Sequence, residues 1–319
     1  MPTTFASLRV LSFLPPVRTA RTFAKRGGRG FDEGQAVTAD GKTLYFVSDR
    51  PGGVGGRDIW VTTLKDDKWT LPVNLGPTVN SVADDGGLTI SADGKRLIFA
   101  SNRPGGFGGE DLYMTTLVDG RWTPPVNLGP GINTRYNEAM AYMTKDDREL
   151  YFHSDRPGGG PGDRSIWMSK FQEGRWQPAL SLGPEINSRT ASNAYLSNDG
   201  LSLLFSSGVA RVDERIMVAS RARVTDRKWT KPVYLGPRIN VAGSFFSSCP
   251  EVTADGKALF FISNRPGGGR RRRHLDGADQ VTTGSALGRR LEVGAGGDAS
   301  EEGHLRSQMG GAAPKASFE

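Results

Sequence analysis

The stretch TADGKTLYFVSDRPGG, Thr38–Gly53, decides the fold, because it returns four more times along the chain. Its counterparts are SADGKRLIFASNRPGG (91–106), TKDDRELYFHSDRPGG (144–159), the shorter SNDGLSLLFSSG (197–208) and TADGKALFFISNRPGG (253–268). The turn aspartates Asp40, Asp93, Asp146, Asp199 and Asp255 are 53, 53, 53 and 56 residues apart. Two further markers keep the same beat. One is a tryptophan: Trp69, Trp122, Trp176 and Trp229. The other is Leu-Gly-Pro followed by Val/Ile-Asn, at Leu75–Pro77, Leu128–Pro130, Leu182–Pro184 and Leu235–Pro237. Three markers in fixed order at one period signal a repeat architecture.

Each unit reads as four strands. Gln35–Ala39 is the first, and Asp40-Gly41 supplies the positive φ of a tight hairpin turn. Thr43–Ser48 is the second, apolar on both faces, as expected of a strand packed between neighbouring sheets. Arg50-Pro51-Gly52-Gly53 forms a loop that cannot be helical. Asp58–Leu64 alternates as a third strand. Trp69–Leu75 is the fourth, and Pro72 marks it as an outer edge strand. Four strands every ~50 residues is the spacing of a β-propeller blade. A lone blade cannot bury both faces, so blades must stack around an axis. The expected fold is an all-β propeller with four full blades (about 31–83, 84–136, 137–190 and 191–246) and a partial fifth, 247–268. Blade four is degenerate, carrying Gly208-Val209-Ala210 where the others carry the Arg-Pro-Gly-Gly loop.

With LYFVSDRPGG, GGRDIW, a recurring Trp and NLGP, residues 31–268 resemble the WD40-like, TolB-type β-propeller repeat. The resemblance implies a ring that is usually six-bladed, often exported, periplasmic or in the cell envelope, and binding other proteins or cell-wall components. The motif is specific to the repeat and says little about any one activity.

Composition narrows the function classes. The 319 residues carry a formal net charge of +7, but residues 31–268 hold equal numbers of acids and bases. The positive charge belongs to the ends, so the folded part lacks the basic stripe of a nucleic-acid binder. No run of 18 apolar residues occurs, so no membrane-spanning helix is expected. One cysteine, Cys249, and three dispersed histidines leave no disulfide framework or multi-histidine metal centre. No cofactor is expected.

The ends read differently from the repeats. Residues 1–30 are a basic leader, expected to be disordered. Their arginines mostly follow the short apolar stretch Val10–Leu14, which is the wrong order for a signal peptide. After Gly268 the repeat pattern breaks into Arg270–Arg273 and His274-Leu275-Asp276. Read one base later, codons for Arg271–Asp276 can encode Gly-Gly-Asp-Ile-Trp-Met, which restores the register of Asp58-Ile59-Trp60. Residues 269–319 are therefore read as a disordered, frameshifted tail. A native low-complexity tail is the alternative, and an arginine-rich RNA-binding tail fits poorly because the segment is nearly as acidic as basic.

Several motifs invite chemistry and have plainer explanations. The Asp-Gly turns fail as sialidase-type Asp boxes because Gly94 directly follows Asp93. The loops at Asp49-Arg50, Asn102-Arg103, Asp155-Arg156 and Asn264-Arg265 recur in most blades. That argues for a structural job: the carboxylate or amide caps turn amides and the arginine pairs within its blade. Asp58 and Asp111 read likewise, with Ser165 replacing them in blade three. Asp32, Asp85 and Glu138, followed in register by Ala191 and Ser247, precede the innermost strand. They are candidate binding residues at the channel mouth, where three carboxylates could hold a hard cation; solvated loop ends are the alternative. His153 sits in a buried strand as a satisfied core histidine, and Cys249 is inert. Trp69, Trp122, Trp176 and Trp229, once per blade, are packing anchors rather than a sugar-stacking row. No G-x-S-x-G, P-loop or HExxH motif occurs. The sequence reading is a non-catalytic scaffold that binds a protein or a cell-wall component. A glycan hydrolase or lyase, or the propeller part of a serine peptidase, is the alternative.

Overall fold

The computed structural model describes residues 32–263 apart from 210, 211, 241, 243, 245, 246 and 253–258. The leader 1–30, the tail 269–319, Asp255 and the loop at Asn264-Arg265 lie outside the described residues. The fold is an all-β propeller, and among the described residues one four-residue helical turn occurs, α1 (Gly236–Ile239). Blade one comprises β1 (Asp32–Val37), β2 (Thr43–Ser48), β3 (Asp58–Lys65), β4 (Lys68–Trp69) and β5 (Val73–Asn74). Blade two comprises β6 (Asp85–Ile90), β7 (Arg96–Ser101), β8 (Asp111–Val118), β9 (Arg121–Trp122) and β10 (Val126–Asn127). Blade three repeats this as β11 (Glu138–Met143), β12 (Glu149–Ser154), β13 (Ser165–Gln172), β14 (Arg175–Trp176) and β15 (Leu180–Ser181). Blade four has β16 (Ala191–Leu196), β17 (Ser202–Ser207), β18 (Arg215–Ser220) and β19 (Val233–Tyr234). β20 (Ser247–Val252) and β21 (Leu259–Ser263) form the start of a fifth.

All pairings are antiparallel, and the inner strands β1, β6, β11, β16 and β20 contact one another in sequence around the axis. The outer strand is split in two in blades one to three. In blade one the break holds Pro72, which cannot donate to a ladder. The β1–β2 turn works through Asp40, whose Oδ1 accepts from the Thr38 hydroxyl at 2.6 Å and the Lys42 N–H at 3.0 Å. These two donors hold the Asp40 carboxyl below its ordinary range. Asp93, Asp146 and Asp199 repeat the arrangement with Ser91, Thr144 and Ser197.

Every inner strand carries a bulge at the same place. Its register shifts after the second residue, and the third residue has positive φ: Gly34, Gly87, Met140, Asn193 and Cys249. Glycine is needed at Gly87, where a Cβ would meet the Met140 amide at 2.9 Å. The three non-glycine residues hold a left-handed conformation that L side chains disfavour.

Apolar clusters fill the gaps between blades. Val47 and Ile59 of blade one meet Leu97 and Phe99 of blade two. Ile98 and Leu112 meet Leu150 and Phe152 across the next gap, and Tyr151 and Ile166 meet Leu203 and Phe205 across the third. Three of the four repeat tryptophans join these clusters. Trp122 packs edge-on against Tyr45 of the preceding blade, centroids 5.9 Å apart. Trp176 and Trp229 lie on the second and third clusters in turn. Trp69, on β4, is partly buried.

The Leu-Gly-Pro marker leads to an asparagine clamp. Asn80, almost wholly buried, accepts from the Ile59 N–H at 2.9 Å and donates to the Ile59 carbonyl at 3.0 Å. Asn133 does the same to Leu112, Asn187 to Ile166 and Asn240 to Ile216. The connector that leaves each full blade is thereby tied to that blade's third strand.

Candidate functional site

One face of the propeller is built from the loops between second and third strands, and the repeated loop arginines and the carboxylates Asp58, Asp85, Asp111 and Glu138 converge there. Its glycines allow close approach. A Cβ on Gly53 would lie 2.1 Å from the Asp58 carboxylate, and one on Gly106 equally close to Asp111. Asp58 accepts from the Val54 and Gly55 N–H groups and from Asn74 Nδ2. Asp111 accepts from the Phe107 N–H and from Asn127 Nδ2. Asn102 and Asp155 accept from the Asp84 and Asn137 N–H groups at 2.8 Å each.

The loop arginines form the second layer. Arg103 Nη2 reaches Asp85 Oδ1 at 2.7 Å and the Val79 carbonyl at 2.8 Å, while Nε donates to Ser101 Oγ at 2.9 Å. The guanidinium lies over Phe99 and Tyr113, 5.2 and 4.9 Å from their centroids. Arg156 repeats this with Glu138 at 3.0 Å, Ser154 at 3.1 Å, the Ile132 carbonyl, and the rings of Phe152 and Trp167. Burial pulls Arg156 down from the ordinary guanidinium value, and Glu138 opposes that pull. In blade one Arg50 lies over Phe46 and Trp60 and donates from Nε to Ser48.

Asp85 and Glu138 are thus fully buried, each held by its own blade's arginine and by the loop residues Ser81 and Thr134. Ala191 and Ser247 occupy the same register, both at zero exposure. The side chain of Asp32 lies outside the described residues. Among the described residues no three histidine, cysteine or carboxylate groups come together as a metal cluster would require.

Blade four differs. Ala191 replaces the carboxylate, and Val209 stands at the arginine position; Ala210 and Arg211, next in that loop, lie outside the described residues. An open recess of about 220 Å3 remains, with Phe205, Met217, Ile186 and Ser207 in its wall. By strand register these stand where Phe152, Trp167, Ile132 and Ser154 surround Arg156. Nearer the axis, Tyr142 and Tyr195 pack at 4.8 Å, and the Tyr142 hydroxyl donates to the Leu196 carbonyl at 3.0 Å. Burial lifts the Tyr142 phenol well above its usual value, and the nearby Glu251 adds to this. Burial also pushes the Glu251 carboxyl up to about 7.

Two residues read from sequence as inert cores carry more detail. His153 is buried, but its Nδ1 has no hydrogen-bond partner, so it is not a satisfied histidine. Burial lowers its pKa to about 3. Cys249 occupies the positive-φ bulge position beside Ser248, its Sγ 3.7 Å from the hydroxyl. Neither the bulges nor the recess was visible as a motif.

No family model and no curated protein sequence matches the chain. Solved structures match its fold. TolB from Acinetobacter baumannii aligns with a TM-score of 0.52 at 16% identity, over 76% of this chain and 51% of that one. The chain therefore spans about half the length of that protein. An α-L-arabinofuranosidase from Lactobacillus brevis aligns at 0.50 and 14% identity, over 78% of this chain and 88% of that one. Likenesses at such identities establish the propeller fold alone, a fold that serves TolB-like proteins and enzymes alike.

Proposed function

We propose that the chain is a non-catalytic binding scaffold whose loop face meets a protein or a cell-wall component. One observation carries this reading. The buried carboxylates of that face, Asp58, Asp85, Asp111 and Glu138, all hold backbone amides, asparagines or arginines of their own blade or of the connector that leads into it. Acid–base catalysis needs a carboxyl within reach of substrate, and these are committed to holding loops in shape. The resemblance to envelope-associated propeller repeats points the same way for location, to the periplasm or cell envelope.

A hydrolase reading has one foothold, Glu251, partly buried near Tyr142 with its carboxyl raised to about 7. The two readings separate in one experiment. The purified chain is co-sedimented with peptidoglycan sacculi and with outer-membrane vesicles, and in parallel incubated with chromogenic glycosides and lactones. Saturable association without turnover is expected. Turnover that disappears in Glu251→Gln overturns the scaffold reading.

A further inference from the structure

A residue repeated in every blade answers to packing, so a surface residue that only one blade carries answers to something else. On the loop face such residues gather at blade two. Phe107 stands where blade one has Val54 and where blade three runs Gly158-Gly159-Gly160-Pro161-Gly162. Arg135 and Tyr136, in the connector from blade two to blade three, stand where the preceding connector has Val82 and Ala83. The two segments rest on each other. Gly108 leaves no room for a Cβ against the Thr134 and Tyr136 carbonyls. The Gly109 N–H donates to the Tyr136 carbonyl at 3.2 Å, and the Glu110 N–H to Asn137 Oδ1 at 3.1 Å. Asp111 holds the Phe107 N–H from below.

This fixed backbone presents an exposed ring and an exposed cation. Phe107 is 49% exposed, although its loop is tied down on both sides. Arg135 is exposed and lies over the Tyr136 ring, 5.0 Å from its centroid, while its Nη2 donates to the Tyr136 hydroxyl at 2.8 Å. The stacking orients the guanidinium fork and leaves most of its five donors open. No acid among the described residues pairs with Arg135. The surrounding acids are engaged elsewhere: Asp84 and Glu110 with Arg57, Asp155 with Asn137, Glu138 with Arg156. The Thr134 hydroxyl also turns inward, to Glu138. The outward chemistry of the patch is thus one apolar ring beside one unneutralised guanidinium, the residue types that anchor protein interfaces. A carboxylate next to an apolar side chain complements it. A sugar fits worse, because Arg135 already covers the Tyr136 ring and the connector's polar groups are turned away from solvent.

We propose that Phe107, Arg135 and Tyr136 form a docking surface for an acidic segment of a partner protein, one that carries a carboxylate beside an aromatic or aliphatic side chain. The carboxylate takes the open side of the Arg135 fork, and the apolar side chain covers Phe107. This rests on the scaffold reading above and gives the chemistry of its partner.

The test titrates the full chain calorimetrically with a blocked Gly-Asp-Phe-Asp-Gly peptide, expected to bind with a Kd of about 1 mM or tighter. Gly-Asn-Phe-Asn-Gly removes the charge and Gly-Asp-Ser-Asp-Gly removes the ring; each should bind at least about tenfold more weakly. Arg135→Gln and Phe107→Ser, both at exposed positions, should each weaken the first peptide by about tenfold and leave the melting temperature unchanged. Arg121→Gln, on the outer strand β9, should leave its binding unchanged. Equal binding of the aspartate and asparagine peptides, indifference to Arg135→Gln or to Phe107→Ser, an equal loss in Arg121→Gln, or no binding at about 5 mM peptide overturns the proposal. Preference for a glucuronate oligosaccharide over the peptide also overturns it, by assigning the surface to a glycan. Sedimentation with sacculi or vesicles that survives such a failure leaves the scaffold reading standing; turnover removes that reading whatever the patch binds.

Discussion

Blade four carries Ala191 and Val209 where blade two carries Asp85 and Arg103, and blade two allows the two changes to be made in steps. Asp85 is at zero exposure and Arg103 is mostly buried, 2.7 Å apart. Removing one partner of a buried pair leaves an uncompensated charge, at a cost of about 3–5 kcal/mol. The lower half applies to Arg103→Met, because Ser81 still donates its N–H and hydroxyl to Asp85. Asp85→Ala should cost about 3 kcal/mol, since Arg103 keeps its rings, Ser101 and the Val79 carbonyl. Independent effects would sum to about 6–7 kcal/mol. Asp85→Ala with Arg103→Met approaches the pair that blade four already carries, Ala191 and Val209. The double variant should cost about 3–4 kcal/mol, a coupling of about 3 kcal/mol. Urea unfolding at a slope of about 2 kcal/mol/M would read this as midpoint shifts of about 1.5–2 M for each single and the double alike. Additivity within about 0.5 kcal/mol would refute the pairing argument.

Trp122→Ala removes the edge-on contact with Tyr45 at a blade interface; the cost is about 2–4 kcal/mol, below that of a fully buried tryptophan. Soluble yield and melting temperature should fall together, and a variant that kept its melting temperature would sink the anchor role. Gly106→Ala forces a Cβ onto the Asp111 carboxylate and Tyr113 hydroxyl, and differential calorimetry should show destabilisation of at least about 2 kcal/mol where Gly105→Ala, free of any contact but at φ +90, shows only backbone strain of about 1–2 kcal/mol. His153, with a folded pKa near 3 against an ordinary 6.5, binds its proton more readily unfolded. Its contribution is complete above about pH 6.5 and is lost as pH falls toward 3, at up to about 1.4 kcal/mol per pH unit. His153→Gln should flatten that part of the stability profile; an unchanged slope would argue against a neutral buried imidazole.

The propeller was legible because its information is periodic. A 53-residue beat in Asp40, Asp93 and Asp146 survives ignorance of every contact. The loop's structural character was legible for the same reason: a group repeated in blade after blade answers to packing. The third strand ran one residue longer than the pattern implied, to Lys65, and the outer strand broke in two. What stayed hidden involves residues that differ among blades. The bulge position is Gly, Gly, Met, Asn and Cys in turn, so no residue type marks it. The recess goes with two changes together, at Ala191 and after Ser207, which only strand register brings side by side. The burial of Asp85 and Glu138 likewise depends on an arginine 18 residues further on folding back over the strand end.

The asparagine clamp has a consequence for how the chain is made. Asn80, Asn133 and Asn187 each grip a strand 21 residues earlier, so the tie that finishes a blade is short in sequence. Ribosomes add about 5–20 residues per second, and a 53-residue repeat therefore emerges in about 3–10 s. Strand pairing takes microseconds to milliseconds at such short separations. Each blade can knit itself shut before the next one has left the exit tunnel, and the propeller is then assembled as a queue of finished parts, each new face closing over the apolar side of the one before.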